Sequence, residues 1–378
     1  MKEQIKKHKP IRIAYIIGKM CAGGVESVVF NYYRVLNHNI FQFDFFYDDD
    51  STIEPPKELI DMGARFFKLP RYQNLFKYLN GLRKYLKQEQ YLIVHSHLNT
   101  LSVFPLFVAW FEQVPIRIAH NHSVPGGSDF IRNTIKHILR YFSKLFSTHY
   151  FACSEKAGRW MFGDYVFDSN KVFIMKNAID FEKFRVDSNN VLKKKLELNI
   201  QNKFVVGHVG RFTYAKNHLF LLDIFKCISE LRNDAVLLLV GDGELRSKIE
   251  NEIKNKCLEN KVLFAGRVPD PEKYYRLNDV IVLPSVFEGL SLTAIESQIA
   301  GVPIIMSKAV PQEAVISDGC WYMDITDSAE AWAKKAVEVA GKNIISLTDK
   351  ADDYDIKKQV KKIENWYEST LKKTGINI

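Results

Sequence analysis

Residues 280–307, VIVLPSVFEGLSLTAIESQIAGVPIIMS, constrain the fold more than any other stretch of the chain. Val280 to Leu283 is an apolar run of strand length. Pro284 to Ser291 interrupts it with turn residues, and a helix is predicted to follow as far as Ala300, where Gly301 and Pro303 stop it. Val302 to Met306 is a second apolar run. Two buried strands joined through a helix make a β-loop-α-β unit, which implies a parallel sheet. Glu288 in the loop and Glu296 in the helix are separated by seven residues. Open parallel sheets bind ligands at the carboxyl ends of their strands, which is where Glu288 falls. The amides around Gly289, Leu290, Ser291, Leu292 and Thr293 are placed to hold an anion, and a helix dipole favours one there. A structural account stays open at this point: Thr293 and Glu296 also fit a capping box, in which Glu296 only satisfies a backbone N–H, and Glu288 is then an exposed loop acid.

The same alternation runs through the chain. In the first half, apolar runs at 11–17, 41–47, 92–94, 116–119, 150–153 and 172–174 read as strands. Helices are predicted over 25–36, 74–88 and 130–146 from their spaced apolar residues. The second half starts again, with strands at 204–209, 235–240 and 262–265 and helices over 219–231 and from 245 to 256, and ends in a charged helix at 356–373. Residues 181–203 are polar and charged and read as an interdomain linker with a short helix. The fold class is α/β, with two doubly wound parallel sheets.

Composition bounds the function. The chain has 378 residues, enough for two cores, and no apolar run approaches the length of a membrane helix. The charged N-terminus, followed by an apolar run broken at Arg12, is expected to be a first strand and not a signal peptide. Five scattered cysteines without a C-x-x-C pair argue for a reducing compartment and against a zinc site. Residues 1–185 hold 26 Lys and Arg against 17 Asp and Glu, whereas the remainder holds 27 of each. The excess positive charge points to an anionic partner, and without a nucleic-acid-binding signature an anionic membrane surface is the expected one. The basic rim of helix 130–146 (Arg132, Lys136, Arg140, Lys144) suits headgroup contact, although packing of its apolar face on the sheet explains it equally.

Several local features bear on chemistry. Gly23-Gly24, between a strand and a helix, lets the backbone approach a phosphate, though most such pairs are only turns. Asp48-Asp49-Asp50 is compatible with a divalent cation but reads better as a solvated loop. His95-x-His97 and His120-x-His122 follow two strands. With no carboxylate nearby they suit a single histidine at a cleft better than a metal. Arg211 and Lys216, five residues apart after a strand, make a good clamp for a diphosphate.

Taken together, GGVE, AHNH, FACSEKAG, KNAID, GRFTYAKN, VGDGELR, FAGR and PSVFEGLSLTAIE, in this order and spacing, resemble the retaining glycosyltransferases of family 4 (group 1), and bacterial capsular and exopolysaccharide enzymes among them. The resemblance covers nearly the whole chain. It implies the GT-B fold, two Rossmann-like domains facing across a cleft. The expected boundaries are 1–185 for an acceptor-binding domain, 186–350 for a nucleotide-sugar-binding domain, and 351–378 for a C-terminal helix returning to the first. The implied donor is a nucleotide sugar, UDP-linked, and the acceptor a lipid-linked or glycan molecule. By the same resemblance Gly23-Gly24 approaches the diphosphate, Arg211 and Lys216 clamp it, and the 290–293 amides complete the phosphate site. Glu288 binds sugar hydroxyls, Glu296 the ribose, and the backbone at Arg267 and Val268 the base. His120 lies beside the donor sugar. Ala178 departs from the glycine that many relatives carry in the N-G-[IV]-D string. No metal cofactor is expected, because cations and helix amides can take the leaving-group charge. The expected location is cytoplasmic, peripheral on the inner face of the membrane. A nonhydrolysing nucleotide-sugar epimerase and a noncatalytic nucleotide-sugar-binding scaffold are the alternatives.

Overall fold

The computed structural model describes residues 9–21, 23–123, 130–185, 187–340, 342 and 346–375, and for 130–133 the backbone alone. The chain divides into two compact units, Met1–Ile179 with Ile356–Ile378, and Asp180–Asp355. The first boundary therefore falls ahead of the expected 185. Residues 181–203, expected as a linker, instead open the second unit with a short 3₁₀ turn, Phe181–Phe184, and a helix, Ser188–Glu197, capped by the Asp187 carboxylate.

Unit 1 is built on seven parallel strands: β1 (Ile11–Gly18), β2 (Phe41–Asp48), β3 (Arg65–Leu69), β4 (Ile93–Ser96), β5 (Ile116–Asn121), β6 (His149–Ala152) and β7 (Val172–Ile174), in the order β3-β2-β1-β4-β5-β6-β7. All eight residues of β2 are buried, as an internal strand covered on both faces requires. Edge strand β3, RFFKL, has one fully buried residue. Its weak apolar signal is why the sequence did not reveal it. The helix Val103–Phe111 was also missed: its apolar residues run all round and show no polar face. The C-terminal helix, Ile356–Lys373, buries Ile356, Val360, Ile363, Tyr367 and Leu371 in unit 1 at the spacing of one helix face. Two expected loops are strand ends: β4 runs on through His95 and β5 through His120.

Unit 2 holds six parallel strands: β8 (Phe204–Val209), β9 (Ala235–Val240), β10 (Val262–Gly266), β11 (Val280–Leu283), β12 (Ile304–Ser307) and β13 (Cys320–Met323), ordered β10-β9-β8-β11-β12-β13. The order reverses between β8 and β11, so their carboxyl ends form the switch point where open sheets of this kind place ligands. Arg211 and Lys216 follow β8, and Glu288 follows β11.

Candidate active site

In unit 2 the residues around the switch point converge. Lys216 Nζ donates to Glu288 Oε1 at 2.6 Å, and the two side chains are only 16% and 10% exposed. The Ser285 hydroxyl donates to the same oxygen at 2.8 Å. Glu288 is thus not an exposed loop acid but a half-buried carboxylate with two donors. Its loop is tied to the Lys216 loop by the Val286 amide, which donates to the Ala215 carbonyl at 2.9 Å. Arg211 is not part of this knot. Its side chain is 66% exposed and lies 3.5 Å from Glu244.

The capping-box account of Glu296 fails. The helix Leu292–Ile299 has Ser291 at its N-cap with no side-chain cap bond, so Thr293 sits inside the first turn. Thr293 donates instead to the Val209 carbonyl at 3.0 Å, fastening the helix to the end of β8. Glu296 accepts the Tyr275 hydroxyl at 2.6 Å. Burial pushes its carboxyl above the usual range, and the Tyr275 bond opposes that rise. Burial also raises the Tyr275 phenol well above its ordinary value, so it keeps its proton and stays a donor. The Ser291 Oγ is buried and has no partner among the described residues. An unpaired buried hydroxyl at a helix N-terminus is a feature that a bound anion would satisfy.

A reason for the VGDGELR string emerges here. Gly241 follows β9 with φ +137°, and a Cβ on it would lie 2.0 Å from the Gly210 carbonyl oxygen; one on Gly243 would lie 2.5 Å from the Phe212 carbonyl. These glycines let the loop after β9 press on the backbone of the Arg211 loop. The Gly210 and Phe212 amides bond the Val240 and Asp242 carbonyls at 2.9 and 3.0 Å. Val268, after β10, borders a groove of about 750 Å³ that is also lined by Lys183, Lys194, Asp270 and Tyr274. Neither Glu288 nor Lys216 lines it, and Arg267 beside it is exposed.

In unit 1, Gly23 caps the helix Gly24–Val35 in an extended conformation. Glu26, in that helix's first turn and 5% exposed, accepts the Cys21 amide at 2.7 Å. A Cβ on Gly23 would lie 2.9 Å from Glu26 Oε2, so the glycine makes room for the carboxylate that shapes the loop. Glu26 was not singled out from sequence, although it is the last letter of GGVE. Asp48 is not a solvated loop acid. It ends β2 at 3% exposure, and burial, then Asp50 and Asp49, push its carboxyl up to about 7. Asp50 pairs with Lys19 at 2.9 Å.

The two His-x-His pairs come together. Strands β4 and β5 are parallel neighbours with His95 opposite Ile118, so period-two alternation sets all four rings on one face. His95 and His97 stack at 4.2 Å between centroids, and His120 and His122 at 4.0 Å. His95 Nε2 and His120 Nδ1 are hydrogen-bonded at 3.0 Å, as are His97 Nδ1 and His122 Nε2 at 2.9 Å. Burial lowers the basicity of all four, His122 to about 3, so the rings are neutral at pH 7. Ligand nitrogens of His95, His97 and His120 lie within 4.8 Å of one another. Mutual hydrogen bonds already engage one nitrogen of each ring, and the buried His97 Nε2 and His120 Nε2 lack a partner among the described residues.

Comparison with known proteins decides the family. The model of "Glycosyltransferase Family 4" matches residues 22–183 and that of "Glycosyl transferases group 1" matches 191–368. The chain belongs to the family 4 glycosyltransferases. Among its relatives in this family is the protein described as glycosyltransferase EpsF of Bacillus subtilis (strain 168), 28% identical, with 96% of this chain and 97% of the relative covered. The UDP-Gal:alpha-D-GlcNAc-diphosphoundecaprenol alpha-1,3-galactosyltransferase of Escherichia coli is 26% identical, over 95% of this chain and 97% of the relative. The crystal structure of Anabaena HepE in complex with UDP-glucose superposes with a TM-score of 0.76 at 16% identity, covering 95% of this chain and all of that one. The glycosyltransferase thus has the GT-B fold, and its family includes capsular polysaccharide enzymes, such as CapH of Staphylococcus aureus, 25% identical over 95% of this chain and 99% of the relative.

Proposed function

We propose that this glycosyltransferase moves a sugar from a UDP-linked donor to a lipid-linked acceptor, with retention at the anomeric carbon. The observation that carries the reading is the Lys216–Glu288–Ser285 knot at the β8/β11 switch point, beside a helix N-terminus whose buried Ser291 hydroxyl has no partner among the described residues. The Escherichia coli relative, named for UDP-Gal and a diphosphoundecaprenol acceptor, and the HepE complex with UDP-glucose support the donor and acceptor classes.

In this reading Lys216 leaves Glu288 to meet the diphosphate, joined by Arg211 and by the amides of Leu290 to Thr293. The freed Glu288 accepts hydroxyls of the sugar. Glu296 accepts from the ribose, held in place by Tyr275. The backbone at Arg267 and Val268 meets the base, the Gly23-Gly24 loop approaches the diphosphate, and His120 bonds the donor sugar. As the anomeric C–O bond breaks, its electron pair goes to the phosphate oxygen, where fixed cations and amides stabilise it without a metal. The acceptor oxygen forms the new bond on the same face and passes its proton to that phosphate oxygen. A screen of UDP- and GDP-sugars, following release of nucleotide, tests the donor. The product's anomeric configuration tests the mechanism, and inversion would falsify it. Loss of activity with a chelator would remove the metal-independent assignment.

We also assign a membrane-facing role to unit 1. Ile135, Ile138, Tyr141, Phe142 and Leu145, on and after helix Phe130–Phe142, are 49–73% exposed, and Trp110 and Phe111 of helix Val103–Phe111 are 49% and 52% exposed. Phe146 joins the two segments, with ring contacts to Phe107 and Trp110 at 5.2 and 5.4 Å. Exposed apolar surface beside Arg140 and Lys144 fits the interface of an anionic bilayer. Flotation with vesicles of anionic lipid should bind the protein, and Phe142→Glu should release it. Equal binding by parent and variant would remove the assignment.

A further inference from the structure

A hydrogen-bonded chain runs through the centre of unit 1 and ends on His120. The hydroxyls of Tyr15 on β1 and Tyr367 on the C-terminal helix are 2.6 Å apart. Tyr367 Oη lies 2.9 Å from His95 Nδ1, and His95 Nε2 lies 3.0 Å from His120 Nδ1. All four residues are fully buried. The chain stops at His120 Nε2, which has no partner among the described residues.

Such a chain has two possible directions. If Tyr15 donates to Tyr367, then Tyr367 donates to His95 Nδ1 and His95 Nε2–H donates to His120 Nδ1. Every proton but one is then used within the chain, and the one left over is on His120 Nε2. In the reverse direction His120 Nδ1–H donates to His95, His95 to Tyr367, and Tyr367 to Tyr15. The Tyr15 proton then has no acceptor among the described residues, where Tyr367 is the partner of that hydroxyl. Leaving a phenolic proton unpaired in the buried core costs free energy that a ligand cannot recover there. An unpaired Nε2–H at His120 instead becomes paired when an oxygen ligand binds. Burial raises both phenols far above their ordinary values, so both stay protonated, and burial keeps both imidazoles neutral.

We propose that Tyr367 and His95 are positioning residues that hold His120 in its Nε2–H tautomer, so that His120 meets an oxygen of its ligand as a hydrogen-bond donor and not as a base. The consequence for the reaction rests on the assignment of His120 to the donor sugar made above; the tautomer itself does not. The C-terminal helix thereby contributes to the chemistry through one hydroxyl, besides covering the sheet. The direction also makes the two tyrosines unequal. Removing the Tyr15 hydroxyl takes away a donor but leaves Tyr367 able to donate, so the tautomer survives. Removing the Tyr367 hydroxyl leaves His95 Nδ1 unpaired and frees the chain to reverse.

The test is nitrogen NMR of the histidine rings in uniformly ¹⁵N-labelled full-length protein, with each ring assigned by single His→Gln variants. The expected result is a protonated Nε2 and an unprotonated Nδ1 for His120, unchanged in Tyr15→Phe and altered or averaged in Tyr367→Phe. A protonated Nδ1 in the parent, or a Tyr367→Phe spectrum identical to the parent's, overturns the proposal. Titration with Zn²⁺ serves as a control. Stoichiometric shifts of His95, His97 and His120 together would show a metal site in place of the chain and would also overturn it. In turnover, Tyr367→Phe should lower kcat about tenfold and Tyr15→Phe less than about twofold, with KM for the acceptor unchanged in both. Equal losses in the two variants at unchanged thermal stability count against the stated direction. If His120→Asn leaves turnover unchanged, the donor-sugar role of His120 is lost, while the tautomer result stands or falls on the spectrum alone.

Discussion

The two units share one architecture but organise polarity differently at their centres. Unit 1 carries 30 Lys and Arg against 17 Asp and Glu, and unit 2 carries 23 against 27. Yet the focus of the basic unit is uncharged: four stacked histidines, kept neutral by burial and linked by neutral hydrogen bonds. The focus of the acidic unit is a direct ion pair, Lys216 on Glu288. Net charge therefore says nothing about the chemistry of a site, which depends on how far each group is from water and what faces it. In the proposed membrane-facing role, the basic excess of unit 1 acts at long range on an anionic surface. In the proposed reading the local cations of unit 2, Lys216 and Arg211, act at contact distance on a leaving group.

The largest expected effect tests that division directly. Lys216→Ala should lower turnover by about 10²–10³-fold, the loss typical when one preorganised donor to a developing charge is removed. It also leaves Glu288 with only the Ser285 hydroxyl, so a modest fall in melting temperature is expected alongside. Lys216→Ala with Glu288→Gln should recover the stability but not the rate. If the single variant turns over normally, the ion pair is only structural and the contrast between the units collapses. Arg211→Ala should cost less, because the structure leaves that guanidinium exposed and outside the knot.

Glu296→Gln comes next. The substitution keeps the size of the side chain and its acceptor for Tyr275 but removes the charge. Donor affinity should fall by about 10- to 100-fold, the range for losing a hydrogen bond to a charged group, as read by calorimetry with UDP. Thermal stability should hold or rise slightly, since burial already disfavours the ionised carboxyl. A large loss of stability with unchanged affinity would return Glu296 to a purely structural role.

How much of this was legible from the residues depends on the range of the interaction. Strands β8, β9 and β11 were bounded as observed, because an apolar run between turn residues is a local signal. Residues Glu288 and Lys216 were named, but not their pairing, since they are 72 positions apart. The capping box was misread for the same reason: S/T-x-x-E is a local pattern, and the groups that claimed Thr293 and Glu296, Val209 and Tyr275, are 84 and 21 positions away. The histidine square required the register of two strands, and the chain to Tyr367 spans 272 positions. One signal was available: two His-x-His pairs, each at a predicted strand end, place four rings on one face if the strands are neighbours. Asp48 was assigned to a solvated loop because three consecutive aspartates suggest solvent, but the strand runs one residue further than its apolar pattern.

That residue gives the smallest expected effect, and it sharpens the contrast in the opposite sense, because here the basic unit buries an acid. Asp48 is raised to about 7 by burial first and by Asp50 and Asp49 next, with Lys19 opposing. Its unfolded value is an ordinary 3.8. Between these values the folded state holds a proton that the unfolded state has lost, so stability falls as pH rises across this window and levels off above about 7. Asp48→Asn removes that slope. The variant should match the parent near pH 4 and exceed it at pH 8 by about 1 kcal/mol, less than the full shift would give because Asp49 and Asp50 beside it are reached by water. Melting curves of both proteins from pH 4 to 8 read the difference. A parent whose stability is flat or rising through that window, or a variant that is no more stable at pH 8, places Asp48 in a solvated or fully paired state and leaves unit 1 without an acid buried at a cost.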